Sequence, residues 1–285
     1  MPFLSRNVQL GPPLKLSTWR KIAIGTWRTA GDPSVYAMLE IDAEPALRYI
    51  EELKKQTQLK ITFTHFVGKA LAQVFQKYPD LNCILRFGRL YPRKTIDVFF
   101  QVAPDNSGKD LSGLTIKQVD QKTLPEIAVE MQARVESIRK KGDPDFKKMK
   151  KKMGFFPGLL VRYMLDIAGF IMYTLNLWSP ALGSPRDPFG SFMITSIGSI
   201  GLDAAFAPLV PYSRVPLLMA VGTVKDTPVV KNGKVEIGKI SKICVTFDHR
   251  IMDGMQGSKM AAAFQEIFAN PEVHLGPIIQ NRALS

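Results

Sequence analysis

Val245-Thr246-Phe247-Asp248-His249-Arg250-Ile251-Met252-Asp253-Gly254 is the stretch on which the reading of this chain turns. Residues 243–247 are rich in β-branched and aromatic side chains and predict a short strand. A polar turn follows, then a run from Gln256 to Phe268 in which Met260, Phe264, Ile267 and Phe268 recur at helical spacing. His249 therefore falls where a rigid strand ends, and Asp253 four residues on, near the start of the helix. An imidazole so placed suits a general base, because its pKa lies close to neutral and its geometry is fixed. Gly254 is expected to permit a tight backbone path beside it. The competing reading is structural, with His249 and Asp253 serving only to cap the helix.

Outward from that stretch, the 285 residues are 46% hydrophobic and 22% charged, a globular composition with ample material for a core. Cys83 and Cys244 lie far apart in apolar segments and read as buried thiols of a reducing cytoplasm. The first 16 residues are broken by Gly11-Pro12-Pro13 and are not expected to form a signal sequence. The net charge is +13, and ten Lys or Arg stand against three acids between Arg134 and Arg162. No nucleic-acid motif accompanies that patch, so no nucleic-acid partner is expected. Anionic lipid, an acidic protein or a phosphate-bearing small molecule suits it.

In chain order, residues 1–16 predict an extended arm, and Ser17 or Thr18 caps a short helix through Ala23. Val35 to Ile41 alternates like a strand; helices are expected over 45–55 and 64–78, a strand over 96–103, and a capping box at Thr123 and Glu126 opens a helix to Lys141. Strands are expected over 205–211, 216–224 and 239–247, with Lys231-Asn232-Gly233-Lys234 as a hairpin turn. His65 reads as a structural histidine. There is no metal-ligand cluster and no phosphate-binding glycine loop.

His249 to Gly254 fits HxxxDG, and with Asp248 before it resembles the acyltransferase component of 2-oxo-acid dehydrogenase complexes and, more distantly, chloramphenicol acetyltransferase. Two further stretches are similar to that family: Thr64-His65-Phe66 through Tyr78-Pro79-Asp80-Leu81-Asn82, and residues 190–201, Gly-Ser-Phe-Met-Ile-Thr-Ser-Ile-Gly-Ser-Ile-Gly. One departs from it: Gly113-Leu114-Thr115-Ile116-Lys117 stands where the family has Gly-Leu-x-x-Pro near the pantetheine of coenzyme A. The resemblance covers roughly residues 17–273 apart from one insertion. It implies an α/β, chloramphenicol acetyltransferase-like two-layer sandwich with a mixed, mostly antiparallel sheet, a single catalytic domain over 1–285 with the arm 1–16.

The resemblance further implies a homotrimer with active sites between subunits, leaving assembly of trimers into a cage open. His249 would be the general base and Thr195 the oxyanion donor, with Ser196 as the adjacent alternative hydroxyl. Asp253 would order the loop around His249, and Arg250 would be structural. Coenzyme A enters as substrate, and a lipoyl group would arrive on another chain, a lipoyl-carrier protein. The alternatives are acyl transfer from coenzyme A to a small hydroxyl or amine, and a non-enzymatic trimeric scaffold.

The insertion, about residues 143–186, lies outside the resemblance. It joins Lys147-Lys148-Met149-Lys150-Lys151-Lys152 to a largely apolar run from Phe155 to Trp178. Arg162 and Asp166 inside that run argue against a membrane span. Helices projecting from the subunit as a docking element for a membrane surface or a protein are expected instead, and the protein is expected in the cytoplasm, free or peripheral to a membrane.

Overall fold

The computed structural model describes residues 5–16, 33–102, 112–141, 158–180 and 184–278. The helix expected through Ala23, and the lysine run Lys147–Lys152 of the insertion, lie outside these residues. Among them, ten strands in chain order are β1 (Ser5–Arg6), β2 (Ser34–Asp42), β3 (Cys83–Arg86), β4 (Arg89–Pro92), β5 (Val98–Val102), β6 (Ser112–Ile116), β7 (Leu177–Trp178), β8 (Phe192–Ser196), β9 (Leu217–Lys231) and β10 (Lys234–Asp248). The helices are α1 (Glu44–Thr57), α2 (Phe63–Lys77), α3 (Leu124–Lys141), α4 (Gly158–Gly169), α5 (Gly254–Ala269) and the short α6 (Pro271–Leu275).

Six strands form the main sheet in the order β2-β10-β9-β8-β5-β6. β8 runs parallel to both β5 and β9, and the other three pairings are antiparallel. Alternation of side chains across each strand gives the sheet one apolar face. Phe100, Phe192, Ile194, Met219, Val245 and Phe247 from that face join one core with Ile50 of α1, Phe66 and Phe75 of α2, and Phe264 and Phe268 of α5. The result is a helix layer on a mixed sheet. Gly68 sets the spacing of the two layers at α2: a Cβ there would lie 2.5 Å from the Phe100 ring.

The helix starts follow local chemistry. Thr123 and Glu126 exchange the bonds of a capping box, with the Thr123 N–H donating to Glu126 Oε2 at 2.7 Å and the Glu126 N–H to Thr123 Oγ1 at 3.4 Å. At α2 the partner of Thr62 is His65, which is buried in the core and accepts from the Thr62 N–H at Nδ1. Between β9 and β10 the turn residues Asn232 and Gly233 both have positive φ, as a two-residue hairpin requires.

Residues 205–211 form no strand; they cross the sheet's other face as an irregular segment, where Thr246 Oγ1 donates to Ala207 O at 2.8 Å. Pro208 and Pro211 lack the N–H groups that a ladder needs. The insertion also departs from expectation, since its described part is packed down. After α4 a single π-helical turn, Phe170–Thr174, buries Met172 and Tyr173 against Val8 and Ile84. β7 then pairs with β1 of the N-terminal arm. Asn176 holds the arm in the manner of a strand, its Oδ1 accepting from Val8 N at 2.7 Å and its Nδ2 donating to Val8 O at 2.9 Å. Asn7 does the reverse, donating to Met172 O at 2.9 Å and accepting from Asp187 N at 2.8 Å.

Candidate active site

β10 ends at Asp248 because its neighbours run out of donors. The N–H of Asp248 donates to Pro216 O at 2.9 Å, and that of His249 to Pro33 O at 2.8 Å. Neither proline returns a hydrogen bond, so the ladder stops there on both sides. His249, half-buried, is the first residue beyond it.

The turn that follows is locked from within. The carbonyl of Asp248 accepts from Ile251 N at 2.9 Å and from Met252 N at 3.2 Å. Its carboxylate accepts from the N–H of Arg250 at 3.0 Å, from Nε at 2.9 Å and from Nη2 at 2.6 Å. Both side chains are buried, so the planar fork and the carboxylate satisfy one another where water cannot. Arg214 lies against this clamp. Burial first, then the neighbouring Arg250, pushes its guanidinium below the usual value, while Asp166 of α4 and Asp248 pull it back up. The insertion helix thus reaches electrostatically to the turn that carries His249.

Asp253 is the N-cap of α5. Its Oδ1 accepts from Gln256 N at 3.0 Å, and Gln256 Oε1 accepts from Asp253 N at 3.0 Å. An Asp-x-x-Gln capping box was available in the sequence as a signal for the start of α5 at Gly254. Gly254 itself does not have the positive φ of a strained turn, and a Cβ there would meet nothing within 4 Å. It lines an apolar cavity of about 360 Å³ between α5 and β2, β9 and β10, together with Met252 and Phe247. The missing side chain keeps that space open.

Thr195 is the penultimate residue of β8, between Gln101 of β5 and Ala220 of β9. Its neighbour Ser196 pairs with Val221, a residue of the helix-side core, whereas Ala220 packs with Ile197 and Cys244 in a separate cluster. The two hydroxyl residues therefore alternate between faces. Gly198 closes the following turn onto β9: a Cβ there would lie 2.8 Å from the backbone of Gly222 and Thr223.

The register fixes how far apart His249 and Thr195 lie. Thr195 is level with Ala220, and Ala220 with Cys244 on β10. His249 is five positions beyond Cys244 and two strands away from β8. At the usual rise and strand spacing this is about 17 Å along and about 10 Å across, so about 20 Å in all. Within one subunit these two residues do not share a substrate atom. Among the described residues no group of His, Cys, Asp and Glu could hold a metal ion.

A family model described as 2-oxoacid dehydrogenases acyltransferase (catalytic domain) matches residues 15–145 and 188–275, leaving out the insertion. A lipoamide acyltransferase component of the branched-chain alpha-keto acid dehydrogenase complex of Bacillus subtilis is 23% identical over 239 residues, 82% of this chain and 46% of that protein. This chain spans about half the length of the curated relatives it matches. Among solved structures, the dihydrolipoamide acetyltransferase (E2p) of Azotobacter vinelandii, studied for the role of a serine, a histidine and an asparagine in its catalytic mechanism, has a TM-score of 0.63. It is 19% identical and covers 93% of this chain and 100% of its own. A chloramphenicol acetyltransferase has a TM-score of 0.53 at 14% identity, covering 90% of this chain and 100% of its own. The layer order and mixed sheet described above are those of this fold.

Proposed function

The chain belongs to the 2-oxoacid dehydrogenase acyltransferase family, catalytic domain, and on that premise we propose that it moves an acyl group between coenzyme A and the thiol of dihydrolipoamide. The observation that carries this is the placement of His249 at a proline-terminated strand end, on a turn locked by the buried Asp248–Arg250 pair. A base held so has its orientation settled before substrate arrives. His249 takes the proton from the acceptor thiol, and the thiolate attacks the thioester carbonyl carbon. The oxyanion so formed accepts a hydrogen bond from Thr195 of a neighbouring subunit. Collapse breaks the original C–S bond, and the leaving thiolate recovers the proton from the imidazolium. Asp253 and Arg250 hold the turn; neither needs to touch the reacting atoms. The Azotobacter vinelandii enzyme was studied for the role of a serine and a histidine, a hydroxyl and an imidazole of the kind that Thr195 and His249 supply.

The same reading gives a homotrimer, the cyclic arrangement that the family resemblance implies, in which each His249 meets a neighbour's Thr195. The lipoyl thiol arrives from outside this catalytic domain. Both cysteines are free and buried, as a cytoplasmic setting allows. No helix among the described residues is long and apolar enough to cross a membrane. Turnover of acyl-coenzyme A with dihydrolipoamide, measured beside a panel of small hydroxyl and amine acceptors, is the test. Transfer to the dithiol alone is expected. Transfer only to a hydroxyl or amine would replace this reading with a chloramphenicol acetyltransferase-like one, and no transfer at all would leave a scaffold.

A further inference from the structure

The cavity of about 360 Å³ beneath α5 lies at the end of the sheet that carries His249. Its sheet wall is built in rows: Phe247 pairs with Val35 of β2 and Leu217 of β9, and Val245 pairs with Ala37 and Met219. Leu39, level with Ile243, marks its far end. At the usual rise per residue, the four positions from Phe247 to Ile243 make it about 13 Å deep along β10. His249 is the next position in the Phe247 row, just beyond the strand. The chain lines the cavity on both sides of the histidine, through Phe247 two residues before it and Met252 three residues after.

The helix wall explains why the space exists. Gly254, Gly257, Ser258 and Ala261 bring small side chains, or none, to the α5 side of the cavity. A Cβ at Gly254 would meet nothing within 4 Å, and one at Gly257 would approach the Phe247 ring at 3.8 Å, so neither absence is forced by a close contact. Protein interiors leave few voids larger than a water, and a cavity of this size is a binding space. Among the described residues that line it, only Ser258 has a polar side chain, and that residue is exposed at the rim. A buried carboxylate or ammonium would find no partner there, so the ligand is neutral and apolar. A dry cavity of about 150 Å³ holds a benzene ring, and one of more than twice that volume holds a chain of about eight to ten carbons.

We propose that this cavity holds the hydrocarbon chain of the acyl group, which makes the substrate a medium-chain acyl thioester. The inference rests on the acyl-transfer reading above and names the acyl group that it moves. The chain lies along β10, with the thioester carbonyl at the mouth beside His249. There the acceptor thiolate forms its C–S bond to the carbonyl carbon as the bond to the coenzyme A sulfur breaks, and the hydrocarbon chain passes over unchanged. Acetyl leaves the cavity empty, and succinyl would bury its carboxylate among apolar side chains.

Calorimetric titration of the full chain with acyl-coenzyme A of increasing length, without dithiol, tests the cavity apart from catalysis. Each buried methylene should tighten binding about fourfold, so octanoyl-coenzyme A should bind at least about a hundredfold more tightly than acetyl-coenzyme A. Succinyl-coenzyme A should show no such gain. Gly257→Leu, with Ala261→Leu as a second filling variant, should reduce the octanoyl advantage to below about tenfold, and Met219→Ala should extend the gain to dodecanoyl. In kcat/KM with dihydrolipoamide, the chain lengths should follow the same order. Equal affinity for acetyl- and octanoyl-coenzyme A overturns the inference, and so does an octanoyl advantage that both filling variants leave intact. Acetyl transfer that persists in either case removes this inference alone and leaves the acyl-transfer reading standing. Length-dependent binding without transfer to any thiol supports the cavity assignment and removes that reading.

Discussion

Removing the imidazole of His249 should cost about 10²–10⁴-fold in kcat, the usual contribution of a positioned general base. The fold should survive, because the buried Asp248–Arg250 pair and the backbone of His249 hold the turn. Steady-state transfer from acetyl-coenzyme A to dihydrolipoamide by His249→Ala decides it; a wild-type rate would end the assignment. Thr195→Ala should lose about 10²–10³-fold, and Thr195→Ser should keep most of the activity because the hydroxyl remains. Arg250→Met should act differently, on stability: it leaves the Asp248 carboxylate buried without its guanidinium, at a cost of about 3–5 kcal/mol measured by denaturant titration. The buried His65 sets a pH dependence. Desolvation lowers His65 to about 4 from an ordinary value of 6.5. Between those values the unfolded chain binds more protons than the folded one, so this contribution is full above pH 6.5 and is lost as pH falls through 4. Denaturation midpoints should drop over that window, by the equivalent of about 3 kcal/mol, and His65→Gln should flatten the drop. His249 stood out in the sequence because a strand pattern, a turn and a helical pattern meet around it. Arg214 did not, since its proximity to Arg250 and Asp166 is created only by the fold.

Among the elements, those with local causes were legible and those with distant causes were not. α3 begins where Thr123 and Glu126 place it, and the β9–β10 hairpin turns where Asn232 and Gly233 allow positive φ. The irregular path of residues 205–211 was misread as a strand, because apolar residues with two prolines look the same whether they pair or merely lie across a sheet. The insertion was expected to project, and nothing near it in sequence says otherwise. Its anchors are more than 160 residues away, in Asn7 and Val8 of the arm. That arrangement makes a test. Asn176→Ala removes both bonds to Val8 and leaves a buried N–H and C=O without them, a cost of about 1–3 kcal/mol for each group. The loss should be local: faster hydrogen exchange at Val8 and earlier proteolysis of the arm, with the main sheet unaffected. Unchanged exchange at Val8 would mean that β1 and β7 hold the arm without the asparagine.

For the whole molecule, the distance across the sheet turns a question of mechanism into one of assembly. Strand rise and strand spacing put His249 and Thr195 about 20 Å apart in one subunit. A thioester carbonyl and the attacking sulfur must both be within hydrogen-bond reach of their catalysts. The two residues can therefore cooperate only if each site takes His249 from one copy and Thr195 from the next. Two inactive proteins should then repair each other. In oligomers reassembled from equal amounts of His249→Ala and Thr195→Ala chains, half of the positions supply an intact His249 and half of their neighbours an intact Thr195. About one quarter of the sites regain both, whatever the number of subunits in the ring. Activity near one quarter of wild type should appear after the two variants are unfolded and refolded together, and not when they are mixed folded. If each subunit were complete in itself, every site would carry one of the two lesions and no mixture would recover activity. That result, or an active monomer by mass, would require Thr195 to be replaced as oxyanion donor by a group near His249 in the same chain, and the proposed role of Thr195 would fall with it.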